Sequence, residues 1–115
     1  MDLRIRTRRE DPWTVLEVGG ELDLHTSTEL RDRLTSLIDE GDTSLVVDLA
    51  GVSFMDSSSL GVLVACLKRV REKGGDIALT GAEGSPLKVL SLTGMDHVFT
   101  MASSPTDLPT EGPAA

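Results

Sequence analysis

An α/β fold on a mixed β-sheet is predicted by three features of this 115-residue chain. Two runs near the start, separated by Asp11-Pro12, have the pattern of an antiparallel hairpin at one edge of a sheet. Residues 45 to 80 read as strand, amphipathic helix and strand, a β-α-β unit whose strands run parallel with a right-handed crossover. The length, 39% hydrophobic content and mean hydropathy of −0.02 fit one packed core and exclude a wholly disordered chain.

The elements follow in order. Leu3-Arg4-Ile5-Arg6-Thr7 alternates apolar and polar residues, as a half-buried strand does, and Thr14 to Val18 suits a second strand ended by Gly19-Gly20. Trp13, at the turn between them, reads as a packing lid. Thr26 followed by Glu29 has capping-box spacing, so a helix is expected to begin there. Leu30, Leu34, Leu37 and Ile38 form its apolar stripe, and Gly41 stops it. Leu45-Val46-Val47-Asp48-Leu49 is nearly continuous apolar sequence, the signature of a central parallel strand covered on both faces. A second helix spans about Ser58 to Lys73, with Leu60, Leu63 or Val64, Leu67 and Val70 turned inward. Cations crowd its last turns, where they complement the helix dipole, and Gly74-Gly75 ends it. Ile77 to Thr80 is the next strand. Ser85 as cap and Pro86 at the first helical position signal a third helix that ends before Gly94, and Val98-Phe99 a last short strand. From Ser103 the sequence is proline-rich without a helical stripe, so the domain is expected over 1–102 and a flexible tail over 103–115.

Charge and composition exclude several function classes. Eleven Lys and Arg against nineteen Asp and Glu give a net charge of −8, which opposes a nucleic-acid or anionic-membrane surface. The longest apolar run, Val62 to Leu67, is far below the roughly 20 residues of a membrane span. The arginines of the first ten residues are followed by no apolar segment of a secretory signal, and the single cysteine, Cys66, supports no internal disulfide. The expectation is a cytoplasmic, disulfide-free domain, a monomer or weak dimer, without metal or other cofactor.

The segment with most chemical content is Phe54-Met55-Asp56-Ser57-Ser58-Ser59-Leu60-Gly61, at the start of the second helix. Asp and Ser are preferred caps because their oxygens accept orphan backbone N–H bonds, yet one cap does not need three serines. The same exposed N–H groups and positive dipole end tolerate a phosphate, so a serine here can be modified without unfolding the domain. Phosphorylation would add about −1.5 to −2 charges beside Asp56, and beside Asp23 if the two strand-to-helix loops meet. A serine nucleophile is not supported: Met55 replaces the first glycine of a Gly-x-Ser-x-Gly elbow, and His97 is the single downstream histidine. His25 reads as a loop or capping residue, and neither histidine falls in a metal-ligand spacing. Gly81 to Ser85 lacks the Gly-Lys-Ser/Thr of a phosphate loop and reads as a turn. A receiver domain also fails, since no lysine follows the strand at Ile77 to Thr80.

Gly20-Glu21-Leu22-Asp23 before a helix, Val46-Val47-Asp48-Leu49, and Val52-Ser53-Phe54-Met55-Asp56-Ser57-Ser58 followed by Leu60-Gly61-Val62-Leu63 together resemble the bacterial anti-sigma factor antagonists of the STAS domain family, over about residues 3 to 100. The resemblance implies a mixed sheet with helices mainly on one face. It also implies partner switching: the unphosphorylated protein binds an anti-sigma factor that is a serine kinase and so frees the sigma factor, and a serine phosphatase reverses the phosphorylation. By position, Ser57 is the implied phosphoacceptor, Ser58 the adjacent hydroxyl and Asp23 the loop aspartate beside it. The implied contact surface takes in Asp23, His25, Thr26, Asp56, Ser58, Ser59, Gly61 and Val62; Val62 suits a rim position and the core equally. Ser59 stands where the family commonly has glycine or another small residue, which leaves Ser57, Ser58 and Ser59 as alternative acceptors, and the proline-rich tail stands where the family has a final amphipathic helix. No catalysis by the chain itself is implied. The alternative is a STAS domain that scaffolds a larger signalling assembly and is not phosphorylated.

Overall fold

The structure, a computed structural model, describes residues 3–113. β1 (Arg4–Glu10) and β2 (Trp13–Leu22) form an antiparallel hairpin, paired from Arg4↔Gly19 to Glu10↔Trp13 across the turn at Asp11 and Pro12. The chain then alternates through α1 (Ser27–Asp39), β3 (Ser44–Met55), α2 (Ser57–Glu72), β4 (Asp76–Thr80) and α3 (Gly84–Leu92). A 3-10 turn at Met95–His97 leads to β5 (Thr100–Ala102). Strand order is β1-β2-β3-β4-β5, with every pair after the first parallel. Each parallel connection steps one strand in the same direction, and α1, α2 and α3 share one core against one face of the sheet, as crossovers of a single hand require.

The alternation of β3 explains its unbroken apolar sequence. Leu45, Val47 and Leu49 face the helices and meet Leu30, Leu34 and Ile38 of α1 and Leu63, Leu67 and Val70 of α2. Val46 points the other way, to a smaller cluster with Trp13, Val15, Ala78 and Leu108. α1 forms without a side-chain N-cap. Packing holds it instead, since Leu30, Leu34 and Ile38 are wholly buried and each contributes about 2 kcal/mol.

Several boundaries differ from those expected, each for a local reason. Thr26 makes no capping box: its hydroxyl donates to the Glu21 carbonyl at 2.6 Å and accepts from the Asp23 N–H at 2.9 Å, so it is consumed by the preceding turn. At α3, Glu83 is the N-cap residue, and the Ser85 hydroxyl accepts the Met55 N–H at 3.2 Å. β3 continues past Leu49 to Met55, with register shifts against β2 between Glu17 and Gly19 and between Gly20 and Glu21. The final strand begins at Thr100 because Val98 and Phe99 complete the turn from Met95, and Phe99 enters the core.

The segment expected to hang free instead lies against the sheet face opposite α1, α2 and α3. Leu108 is buried beside Val15, Val46 and Ala78, Trp13 Nε1 donates to the Pro109 carbonyl at 2.8 Å, and Gly112 approaches Pro12. That face offers apolar surface to cover, and a proline-rich segment has little chain entropy to lose on doing so. Residues 114–115 of that segment, like residues 1–2, lie outside the described residues. Among the described residues no helix is long and apolar enough to cross a membrane.

Candidate functional site

β2 and β3 run parallel and end side by side at Leu22↔Met55, so the loops carrying Asp23 and Asp56 leave one pole of the sheet together. The Asp56 N–H donates to the Leu22 carbonyl at 3.1 Å, fastening the two strand ends. The Ser85 contact with Met55 brings the third strand-to-helix connection to the same pole.

Each loop is held by its own aspartate. The Asp23 carboxylate accepts the N–H groups of His25 and Thr26, both at 2.9 Å, and is within 3.2 Å of the Thr26 hydroxyl. Donation by the Thr26 backbone is the main cause, with help from His25, that holds the Asp23 carboxyl below the usual range. Asp56 is the N-cap of α2, in extended backbone conformation, and accepts from the Ser59 N–H at 3.1 Å and the Ser59 hydroxyl at 3.3 Å.

This geometry gives the three serines different surroundings. Ser59 is wholly buried and committed to Asp56. Ser57, the first residue of α2, is exposed, and Ser58 is partly so. Neither of their hydroxyls has a hydrogen-bond partner among the described residues. Gly61 lies one turn on, exposed, with nothing within 4 Å of the place a Cβ would occupy. Val62 is partly buried against the core, so its two readings share it. From Ser57 an open groove of about 490 Å³ runs along α2 past Gly61, Val64 and Ala65 to Lys68, walled opposite by Thr93 and Met95.

Two of the expected contact residues are corrected by these surroundings. Thr26 and Ser59, at 6% and 0% exposure, have almost no surface to offer and act by holding the loops. His25 and Gly61 are exposed at the pole. A residue the sequence reading missed is Leu24, the apolar side chain between Asp23 and His25, which stands 68% exposed. Leu24 follows Leu22 at period-two spacing, and the turn closed by Asp23 throws it outward.

Comparison with known proteins agrees with this architecture. The model of the STAS domain family matches residues 4–108. An anti-sigma-B factor antagonist of Staphylococcus aureus is 34% identical over 99 residues, covering 86% of this chain and 92% of that protein. The crystal structure of an anti-sigma factor antagonist from Mycobacterium paratuberculosis superposes with a TM-score of 0.84 at 25% identity, over 92% of this chain and 90% of the other. The Bacillus cell fate determinant SpoIIAA in its phosphorylated form shares the fold, with a TM-score of 0.71 at 22% identity over 90% of this chain and 95% of the other.

Proposed function

Because the chain belongs to the STAS domain family, we propose that it is an anti-sigma factor antagonist working by partner switching, with Ser57 as the phosphorylated residue. The observation that carries the assignment is the division among the serines: Ser57 offers an exposed, uncommitted hydroxyl at the first position of α2, whereas Ser59 is buried and bonded to Asp56. On this reading the unmodified pole, with His25, Leu24, Gly61 and the head of the α2 groove, docks on an anti-sigma factor that is also a serine kinase. The chain catalyses nothing itself. It supplies the hydroxyl that attacks the γ-phosphorus of ATP on the kinase, the bond to the β–γ bridging oxygen breaking as ADP leaves and the serine proton is lost, and a serine phosphatase later hydrolyses the phosphate ester with water.

Phosphate on Ser57 is compatible with the folded domain, because the first N–H groups of α2 and its positive dipole end face it. It is incompatible with a closed interface. A phosphate left desolvated and unpaired beside Asp56 and Asp23 costs roughly 3 to 5 kcal/mol, by analogy with broken buried ion pairs. That is about two to four decades of affinity.

The test is peptide mass spectrometry after incubation with the purified anti-sigma kinase and ATP, wild type beside Ser57→Ala, followed by binding measurements. One phosphate on the Ser57 peptide, absent from Ser57→Ala, is the expected result. Ser57→Ala should still bind the kinase and Ser57→Asp should bind at least about a hundredfold more weakly. Phosphate retained in Ser57→Ala would move the site to Ser58, and no phosphate at all would favour the scaffolding reading.

A further inference from the structure

The remaining strong feature of the surface lies at the opposite side of the sheet from the α3 and β5 elements. β1 is an edge strand, with β2 on one side and, among the described residues, no strand on the other. Its seven residues, Arg-Ile-Arg-Thr-Arg-Arg-Glu, carry four of the eleven cations of the whole chain. The strand is thus +3, in a protein whose remaining residues sum to −11.

The arginines are not all neutralised. Arg8 pairs with Glu17 and Glu10, and Arg9 with Asp11 and Asp42. Arg4 and Arg6 have no acidic partner among the described residues. Both border a shallow cleft of about 270 Å³ on the sheet face away from the helices. Its floor is bare backbone at Gly19 and Gly51, where the register of β2 and β3 slips, and the Arg4 guanidinium lies over Gly19, whose Cβ, if present, would come within 2.8 Å of it. The two acids at the cleft are already engaged, Glu17 by Arg8 and Asp48 by the Ala50 N–H at 3.2 Å.

We propose that the β1 edge is a second docking surface, which accepts an extended acidic segment of a partner protein as an added strand. Main-chain pairing along an exposed edge supplies the affinity, and alternate side chains supply the selection. Residues of the added strand that fall on the cleft face meet Arg4, Arg6 and Arg8; those on the other face meet Ile5 and Thr7. Charge on an edge strand commonly guards against pairing with further copies. A second copy of this chain is opposed for that reason, since two like-charged strands, each with Arg4 and Arg6 unpaired among the described residues, would be placed side by side. The same charges admit an acidic segment. The surface is separate from the serines, so its test does not depend on Ser57.

The experiment is an amide chemical-shift titration of the full ¹⁵N-labelled chain with a capped octapeptide of alternating Glu and Val, and with its Lys-for-Glu counterpart. The expected result is saturable shifts along Arg4–Glu10 with the acidic peptide alone. The double variant Arg4→Ser/Arg6→Ser, both sites being exposed, should retain the folded spectrum and bind about threefold to tenfold more weakly. Three results would overturn the proposal: no saturable shift on β1, equal shifts at the Lys68 to Lys73 cations, or concentration-dependent β1 shifts without peptide, which would mean self-pairing.

Discussion

Removing the Asp56 carboxylate perturbs the serine segment in two ways at once, and the size of each follows from the structure. Asp56→Ala takes the cap from the Ser59 N–H at 3.1 Å, a loss of about 1 kcal/mol. It also strands the Ser59 hydroxyl, which is 0% exposed and cannot turn to water, adding about 1 to 3 kcal/mol. The sum is about 2 to 4 kcal/mol. Ser59→Ala alone should cost about 1 kcal/mol or less, because Asp56 is partly exposed and regains water. The second cost exists only while the buried hydroxyl is there, so Asp56→Ala/Ser59→Ala should be more stable than the sum of the single losses predicts by about 1 kcal/mol or more. Urea unfolding measures all four corners of the cycle; with a slope of about 1 to 3 kcal/mol per molar, the single Asp56→Ala loss moves the midpoint by about 0.7 to 4 M. Strictly additive losses would show that the buried Ser59 hydroxyl is not held by Asp56.

Four further outcomes are expected. Leu108→Ala should destabilise the domain by about 2 kcal/mol and red-shift the emission of Trp13, the single tryptophan, because residues 103–113 would no longer cover it; unchanged emission would mean that the cover does not depend on Leu108. Gly75→Ala should cost about 2 kcal/mol or more in thermal unfolding, since the new Cβ overlaps the Thr43 carbonyl oxygen, which is fixed by the Asp76 N–H. Asp23 has a depressed carboxyl, so its contribution is complete above the ordinary aspartate value of about 4 and is lost as pH falls through the lower folded value. The stability gap between wild type and Asp23→Ala should therefore narrow between pH 6 and pH 2.5 in urea titrations, and a gap that stays constant would contradict the assignment. Ser57→Asp should leave unfolding stability within about 1 kcal/mol of wild type, because a charge at the first turn of α2 is tolerated; a larger loss would mean that modification acts by unfolding and not by altering a surface.

The parts of this fold legible in the sequence are those governed by short-range patterns. The hairpin around Asp11-Pro12, the stripe of Leu30, Leu34 and Ile38, and the unbroken apolar strand at Leu45 to Leu49 are each read from periodicity, and each is found in its place. Where reading failed, a distant residue had claimed the local signal. Thr26 has capping-box spacing, but its hydroxyl is taken by Glu21 and Asp23 in the turn before the helix. Ser85 has the look of a cap, but its oxygen serves Met55, thirty positions away in sequence. Leu108 has no periodic neighbours to reveal it, and its burial depends on a sheet face built from Trp13, Val15, Val46 and Ala78. The site was legible as a segment and not as a set of roles: Asp56-Ser57-Ser58-Ser59 could be named, but the depth of each hydroxyl is set by the helix phase and by Asp56.

That phase accounts for how a capping sequence can also serve as a switch on the proposed reading. A cap must face its helix inward, and Asp56 does so by binding the backbone and hydroxyl of Ser59. Position 57 begins the helix two residues earlier, where the direction of the turn carries its side chain outward and away from the core. One carboxylate thus stabilises the fold through Ser59 and sets a fixed negative charge beside Ser57. A phosphate arriving at Ser57 disturbs no buried bond, because none of the bonds that Asp56 makes involves the Ser57 hydroxyl. What it changes is the charge of a surface already flanked by Asp23 and Asp56, so the energetic consequence is felt by whatever closes over that surface and far less by the domain itself.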